Sequence, residues 1–289
     1  MWERRIHIER PIKIENLVTA FTVFRDKNFR FRGEVHDFWE MVYISEGTAG
    51  ITAGGKVFEC GAGNIVFHKP NEYHRIWTAG DEAIKFTVIS FTSASEYLTE
   101  KLSESVITLS VKAKKLMEEL QSTIGISEKL ENYLPDEFLK ESNEIKIAEF
   151  TNTLELLLYE CAGLEKYIAP KSRGDAKIFT AAVKSMNDHI GEPFNSGQIA
   201  DEIHVSITHL KRVFNRYALM GVHEYYLAMK LERAKIMLAH GESVHKTAAE
   251  LGFLNPNYFS AVFKREIGIS PTTWLKDYIK SEKIEDITD

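Results

Sequence analysis

The spacing of apolar residues near the C-terminal end of the chain predicts two short helices separated by a turn. The first helix has an apolar face with the three-to-four residue spacing of an amphipathic helix, formed by Val244, Ala248 and Leu251. Gly252 can end this helix because it has no β-carbon to oppose a left-handed backbone. Asn255 is a good N-cap and Pro256 a good first helical residue, so a second helix is expected to run to about Glu266.

The second predicted helix is apolar on one side and polar on the other. Phe259, Val262 and Phe263 form its apolar side. The opposite side carries groups able to hydrogen-bond base edges or phosphates, namely Asn257, Ser260, Lys264 and Arg265. The pair is therefore interpreted as a helix-turn-helix with a recognition helix for DNA.

The same pattern occurs about fifty residues earlier, between residues 198 and 214. Ala200 and Ile203 correspond to Ala248 and Leu251. After the turn, four residues correspond to Phe259, Val262, Phe263 and Arg265, in the order Leu210, Val213, Phe214 and Arg216. The repeat predicts two helix-turn-helix units in tandem.

A helical stripe of Leu227, Leu231, Ala234 and Leu238 predicts a helix from about His223 to Ala239 between the two units. Its seventeen residues would span roughly 25 Å, near the ~34 Å of one DNA turn. We therefore expect the two recognition helices to enter successive major grooves on one side of the duplex.

From about residue 194 to residue 278 the chain resembles the AraC/XylS family of bacterial transcription regulators. The resemblance is carried by Leu231 to Leu238, Gly252-Phe253, Tyr258-Phe259-Ser260, Phe263-Lys264 and Gly268-Ile269-Ser270-Pro271. It implies a DNA-binding part made of two helix-turn-helix units joined by a long helix. The expected partners are double-stranded promoter DNA, a small-molecule effector, RNA polymerase and a second copy of the chain.

Carried over position by position, the resemblance assigns base-facing residues in both units. In the first unit these are Thr208, Lys211, Arg212 and Asn215, and in the second Asn257, Ser260 and Lys264. Arg212 is the strongest candidate, because arginine can pair bidentately with guanine. Ala261 departs from the family, which often has arginine there, so the second unit is expected to read bases less or by DNA shape. Leu219 departs from a usual glycine, so the first unit's recognition helix is expected to end differently.

The N-terminal third has a different pattern, in which short apolar stretches alternate with turn signals from about Phe29 to Phe91. Strands at such spacing favour a sandwich or barrel. The spacing of His36, Glu40, Gly47, Gly63, Pro70 and His74 resembles the cupin barrel that forms the sensor half of many AraC-type regulators. The predicted fold class is α+β multidomain, a cupin-like β-barrel with flanking helices followed by an all-α domain.

Alternation along the first of these strands predicts an effector pocket. Arg32, His36, Phe38 and Glu40 are expected on one face, with Trp39, Met41 and Tyr43 on the other. With His74 and Phe86 opposite, the polar wall suits a polyol such as a sugar. Resemblance to metal cupins leaves His36, Glu40 and His74 as a three-ligand alternative, although Glu34 replaces the first histidine of that motif. A metal-free pocket is the preferred interpretation.

Four segments are predicted: a sensor barrel over 1–100, a helical region over 101–165, a linker over 166–175 and the DNA-binding domain over 176–281. Helices are expected at Val111 to Ile124 and Ile145 to Cys161, with another at Ala176 to Ile190. By resemblance, the helices after the barrel also form a dimer contact. The break at Pro170, Arg173 and Gly174 marks the linker.

Composition and charge limit the other classes of protein. The 289 residues carry a net charge of −6, so DNA affinity must come from local basic pairs such as Lys211-Arg212. No apolar run is long enough to cross a membrane and the first residues lack a signal peptide's apolar core, so we expect a cytoplasmic protein. Cys60 and Cys161 are expected to be reduced, small hydrophobic residues. No cofactor is predicted.

These features together predict a regulator that binds DNA at particular sequences and responds to an effector. By resemblance, activation of carbohydrate genes is the expected role. Two alternatives stay open: a metal-dependent cupin enzyme fused to a DNA-binding domain, and a constitutive regulator whose barrel is filled by its own side chains.

Overall fold

The computed structural model describes residues 10–31, 33–34, 36–53, 55–103, 106–127, 134, 138, 143–164, 166–167, 174–276 and 278. The chain divides into two compact units, Met1–Ser172 and Arg173–Asp289. Arg32, predicted to line the effector pocket, lies outside the described residues. None of the described helices is long and apolar enough to span a membrane.

Among the described residues of the first compact unit, nine strands form two sheets. They are β1 Asn16–Arg25, β2 Trp39–Glu46, β3 Thr48–Ala53, β4 Lys56–Gly61, β5 Asn64–His68, β6 Arg75–Thr78, β7 Ile84–Thr92, β8 Val106–Thr108 and β9 Lys166–Tyr167. The larger sheet has the order β1-β7-β2-β5-β8-β9 and the smaller has the order β4-β3-β6. Strand β9 pairs with β8 within the range predicted as linker, so residues 166 and 167 belong to the sheet.

Alternation along β2 separates two apolar cores. Val42 and Ile44 face the space between the two sheets, where they join a buried cluster with Ile51 and Phe58 from the smaller sheet. Met41 and its neighbours on the other face join a cluster with the helices, including Trp39, Leu154 and Leu158. The sheet therefore has helices on one face and the smaller sheet on the other, as its large side chains on both faces predict.

Strand β2 begins at Trp39, later than the alternation over residues 32–40 implies. His36 and Phe38 precede the strand, so their positions follow from a loop and not from strand alternation. This loop is held by a bridge between Glu34 and His74, in which each residue donates its backbone N–H to the other's carbonyl. The predicted strand face is therefore wrong for His36 and Phe38, which precede β2.

Three helices of the first unit are α1 Glu96–Leu102, α2 Val111–Thr123 and α3 Glu144–Gly163. Helices α2 and α3 match their predicted ranges within two residues at each end. The α3 stripe buries Phe150, Leu154, Leu157 and Leu158 in the core beneath the larger sheet. Cys60 and Cys161 are buried and unbonded to one another, and burial raises the pKa of each thiol to about 12.

The second unit is helical over its described residues. Its helices are α4 Asp175–Asp188, α5 Ser196–Glu202, α6 Ile207–Tyr217, α7 Val222–Ala239, α8 Val244–Glu250 and α9 Pro256–Ile267. Asn255 caps α9 by accepting the N–H of Tyr258, and Pro256 is its first residue, as predicted. The predicted helix between the two motifs is α7.

Each helix-turn-helix turn contains a residue with a left-handed backbone. Gly252 has a φ of 63°, and a β-carbon there would collide with the carbonyl oxygen of Gly191. The first helix-turn-helix unit has His204, with a φ of 56°, at the corresponding position. After the recognition helices, Gly268 has a φ of 94° and Leu219 a φ of 54°. Leu219 thus adopts the left-handed conformation that a glycine would adopt there. At the end of the first recognition helix, the expected departure from the family is therefore one of residue type and not of backbone conformation.

Candidate functional site

Glu40 is the centre of a buried group of charges between the two sheets. It lies on β2 and is 8% exposed. Its carboxylate is 3.3 Å from Nε2 of His74 and 3.6 Å from Nε2 of His36. The hydroxyl of Ser90, on the neighbouring strand β7, donates to the same carboxylate at 3.5 Å. A buried carboxylate therefore has two imidazoles as its charge partners.

The two charges at the centre of this group stabilise each other. Burial raises the pKa of Glu40, but His74 and His36 outweigh burial and hold the pKa well below its usual range. Burial lowers the pKa of His74, but the carboxylate of Glu40 outweighs it and raises the pKa to about 9. Glu40 is thus ionised and His74 protonated at neutral pH.

His36 and His74 are both oriented through their Nδ1 atoms. His36 donates Nδ1–H to the carbonyl of Phe38 at 3.0 Å, and its ring stacks on the Phe38 ring at 3.8 Å. His74 donates Nδ1–H to the carbonyl of Glu72 at 2.9 Å. Each ring therefore directs Nε2 toward Glu40, and neither Nε2 makes a hydrogen bond within the part of the chain that the structure describes.

A narrow cavity with about 20 Å³ of room for water-sized molecules lies beside this group. Of the predicted pocket residues, Glu40, His74 and Phe86 line it. His36 and Phe38 are not among the described residues that line it. The remaining lining residues are Phe21, Phe31, Glu34, Val42, His68, Arg75, Ile76 and Val88. The cavity thus combines apolar walls with carboxylate, imidazole and guanidinium groups.

Glu34, His68 and Arg75 are polar lining residues that sequence reasoning did not place in the pocket. His68 ends β5 directly opposite Glu40 in the sheet register, and its ring stacks on His74 at 4.2 Å. Burial and the adjacent His74 lower its pKa, so it is neutral. Arg75 begins β6, is 1% exposed, and lies 4.9 Å from the centre of the Trp77 ring. Alternation from Val66 to His68 on β5 was a usable signal for His68, whereas Arg75 had none.

The charge group also has the donor set of a metal site. One ligand atom from each of Glu34, His36, Glu40 and His74 lies within 4.8 Å of every other. Two imidazoles and two carboxylates suit several divalent metals, and the Nδ1 hydrogen bonds orient both rings as they do in metal sites. The residues therefore fit a divalent cation, with Glu34 as a fourth donor beyond the three predicted.

Helix α6 presents the predicted base-reading residues of the first unit on its exposed side. Ser206 caps the helix by accepting the N–H of His209. Its buried side consists of Leu210, Val213, Phe214 and Tyr217. Thr208, Lys211, Arg212 and Asn215 are all exposed on the opposite side. The arrangement provides one hydroxyl, one amide and two cations for base edges or phosphates.

Helix α9 has the same arrangement with fewer long polar groups. It buries Phe259, Val262 and Phe263. Asn257 and Lys264 are exposed and Ser260 is partly exposed on the other side. Ala261 occupies the exposed position that corresponds to Arg212, and Tyr258 is 53% exposed beside it. The second recognition helix therefore lacks the guanidinium that the first one has at this position.

Two helix-turn-helix units and a sensor-like pair of sheets define a ligand-responsive DNA-binding regulator as the class of this protein. Residues 19–139 match the model of the AraC-like ligand binding domain, and residues 199–277 match a helix-turn-helix domain model. The chain belongs to the AraC family of transcriptional regulators.

Relatives of similar length carry regulator names. The HTH-type transcriptional activator RhaR of Mannheimia succiniciproducens is 22% identical over 85% of this chain and 87% of that protein. The uncharacterized HTH-type transcriptional regulator YfiF of Bacillus subtilis is 23% identical over 86% of this chain and 79% of that protein. The alignment with the unsaturated fatty acid-bound structure of ToxT from Vibrio cholerae covers 91% of this chain and 96% of that chain, at 14% identity. Its TM-score of 0.36 is too low to support an argument about this chain.

Proposed function

We propose that this protein activates transcription from particular promoter sequences when a small polar molecule, a sugar, binds between the two sheets of its first unit. The observation that carries the proposal is the lining of this narrow cavity, in which Glu40, His74 and Arg75 stand beside aromatic and aliphatic side chains. The cavity would have to widen to admit a sugar. A sugar offers hydroxyls to the charged groups and C–H faces to rings such as Phe21 and Phe86. The name of the activator RhaR supports activation as the mode of regulation.

In this proposal the protein acts in the cytoplasm as a homodimer, and DNA-bound dimers contact RNA polymerase. An effector regulates only if it binds one state of the protein more tightly than another. The Glu40–His74 pair suits this role, because a sugar hydroxyl placed between the two side chains would replace one buried interaction with two hydrogen bonds. Bound and free sensor units would then differ in the position of the Glu34–Glu40 loop.

Thermal unfolding of the full chain tests effector binding directly. The ligands are a panel of monosaccharides, disaccharides and polyols, with Mg²⁺, Mn²⁺ and Zn²⁺ as separate samples. A ligand at 100 times its Kd adds about 2.7 kcal/mol to the free energy of unfolding, which is a visible shift in Tm. Glu40→Gln should abolish the shift and leave DNA binding intact. Glu59→Gln, at an exposed position of β4, is the matched control and should keep it.

A shift with a sugar that survives in Glu40→Gln would contradict the placement of the effector. A folded protein that shifts with none of these ligands would favour the constitutive regulator, in which the protein's own side chains fill this space. Loss of DNA binding in Glu40→Gln, with its fold retained, would contradict the separation of sensing from DNA binding.

A second candidate follows from the four ligand atoms of Glu34, His36, Glu40 and His74. Here a divalent cation is the effector, or serves a cupin enzyme joined to the DNA-binding unit. Metal must displace the proton of His74, so binding would release a proton and weaken as the pH falls. Stoichiometric metal in the purified protein, lost in His74→Gln, would favour this candidate. A metal-free protein whose Tm is unchanged by added Mn²⁺ or Zn²⁺ would exclude those ions.

A further inference from the structure

Asp175 places a carboxylate beside the exposed cations of the first recognition helix. It is the first residue of α4 and follows the N-cap Gly174. Its Oδ1 atom is 2.8 Å from Nε2 of His209 and 3.9 Å from a guanidinium nitrogen of Arg212. Its Oδ2 atom is 3.5 Å from a guanidinium nitrogen of Arg216. One acidic group from another helix thus contacts three basic groups of α6.

The three basic residues share one edge of α6, because they follow each other at intervals of three and four positions. The carboxylate of Asp175 is 20% exposed, whereas the side chains of Arg212 and Arg216 are 69% and 66% exposed. The hydrogen bond from His209 and the two guanidinium groups lower the pKa of Asp175, so it is ionised at neutral pH. The arginines therefore stay accessible to DNA while one end of each lies next to a fixed negative charge.

The second recognition helix has a different arrangement around the corresponding residues. Ala261 replaces Arg212 there, and Arg265, which corresponds to Arg216, pairs with the adjacent Glu266 on its own helix at 2.6 Å. The carboxylate contributed by a separate helix is therefore a feature of the unit that carries the strongest base-reading candidate.

A negative charge at this position affects two kinds of DNA contact differently. Attraction to phosphates is independent of sequence and depends on the net positive charge that the helix presents. Contacts to base edges depend on the direction in which a guanidinium points. A carboxylate that partly neutralises α6 weakens the first kind, and by restraining the long side chain of Arg212 it favours the second.

We propose that Asp175 is a positioning residue for DNA recognition, which raises the specificity of the first unit by restraining Arg212 and Arg216 and by lowering their general attraction to phosphates. The proposal rests on the proposed function, since it assumes that α6 is a base-reading helix. It assigns a role in recognition to a residue outside both helix-turn-helix motifs.

The test compares full-length wild type and Asp175→Asn on two DNA duplexes at several salt concentrations. One duplex is selected by the wild type from a random library, and the other is a scrambled sequence of the same composition. The binding constants are measured by fluorescence anisotropy. Asp188→Asn is the matched control, because it removes the same charge from the exposed far end of the same helix.

Asp175→Asn is expected to bind the scrambled duplex about threefold to fivefold more tightly, the effect of one exposed ion pair. Its affinity for the selected duplex should rise less, so the ratio of the two affinities falls. Asp188→Asn should leave the ratio unchanged. Asp175→Glu keeps the charge and should recover part of the lost ratio, provided that circular dichroism shows wild-type folding for all three variants.

An unchanged ratio in Asp175→Asn, or an equal loss of affinity for both duplexes, would overturn the proposal. A wild type that selects no sequence would contradict the proposed function. The electrostatic role of Asp175 would then be tested on the scrambled duplex alone. If Asp175→Asn binds that duplex no more tightly than Asp188→Asn does, this role is overturned. A wild type that binds neither duplex would overturn both.

Discussion

The two helix-turn-helix units have the same backbone plan built from different residues. In the turn, His204 of the first unit and Gly252 of the second both have left-handed backbones. Leu219 and Gly268, which follow the two recognition helices, also both have left-handed backbones. The second unit thus uses glycine where the first uses residues that strain the backbone. Both turns thus keep the same backbone conformation although their residues differ.

The units also differ in the groups that they offer to DNA. The first unit exposes Arg212 and Lys211, with Asp175 beside the arginine. The second has Ala261 at the arginine position and retains Lys264 as an exposed cation. On this comparison we propose that the first helix-turn-helix unit supplies most of the base reading and the second supplies phosphate contacts and shape-dependent binding.

The largest expected effect is on the turn of the second unit. Gly252→Ala should lower the free energy of unfolding of the compact unit Arg173–Asp289 by about 3 kcal/mol or more. The new β-carbon would meet the carbonyl of Gly191, and the backbone would stay left-handed. His204→Ala at the exposed matching position should change it far less. Chemical denaturation monitored by circular dichroism measures both variants. Similar losses in the two would show that the turns do not differ in packing.

The next effect concerns Lys230 of α7, which joins the segment between α4 and α5 to the residue after α8. Its buried ammonium donates to the carbonyls of Glu192 at 2.6 Å and Leu251 at 2.7 Å. Lys230→Met should lower the free energy of unfolding by about 2 kcal/mol, since two carbonyls lose a charged donor. Arg233→Met, at an exposed position of the same helix, is the control and should cost less than about 1 kcal/mol. Denaturation curves with equal midpoints for the two variants would contradict this role.

Removal of one cation from each recognition helix tests the division of labour on DNA. Arg212→Ala should remove about 1 to 3 kcal/mol of discrimination at one base position. Lys264→Ala should weaken binding to all sequences and reduce the salt slope by about one unit. Both are measured by anisotropy on single-base variants of the selected duplex. Equal and sequence-independent losses would show that Arg212 does not read a base.

The smallest expected effects are at the ends of the recognition helices. Leu219→Gly should stabilise the compact unit Arg173–Asp289 by about 0.5 kcal/mol, because relief of the left-handed strain slightly exceeds the added freedom of the unfolded chain. Gly268→Ala, where a β-carbon would have open space, should destabilise it by about 1 kcal/mol through strain alone. Thermal unfolding should show a higher Tm for Leu219→Gly and a lower Tm for Gly268→Ala than for the wild type. A destabilised Leu219→Gly would show that the leucine side chain contributes more by packing than its backbone costs.

The helices of the second unit were predictable because their signals are local. The apolar spacing, the Asn255 cap and Pro256 all lie within one helix or its first turn. The contacts of Asp175 and Lys230 were not predictable, because their partners are 21 or more residues away. They depend on how helices pack, which apolar periodicity alone does not specify.

The lining of the candidate effector site was predicted only in part, because some of its contacts are also long-range. Glu40, His74 and Phe86 were identified from spacing, and all three line the cavity. His68 reaches it through the pairing of β2 with β5, and Arg75 through β6 of the smaller sheet. Strand register and the facing of two sheets are long-range properties. Alternation was also extended too far toward the N-terminus, because a loop that bridges Glu34 to His74 has polar residues at similar intervals.

The most direct test of the account is a base-by-base specificity profile of the full-length wild type, measured as binding affinities for every single-base variant of its selected duplex. We predict two blocks of sensitive positions about one helical turn apart, with stronger discrimination in one block, from which Arg212→Ala removes a single position. Two equally discriminating blocks, or a profile that Arg212→Ala leaves unchanged, would contradict the claim that the first unit is the principal base reader.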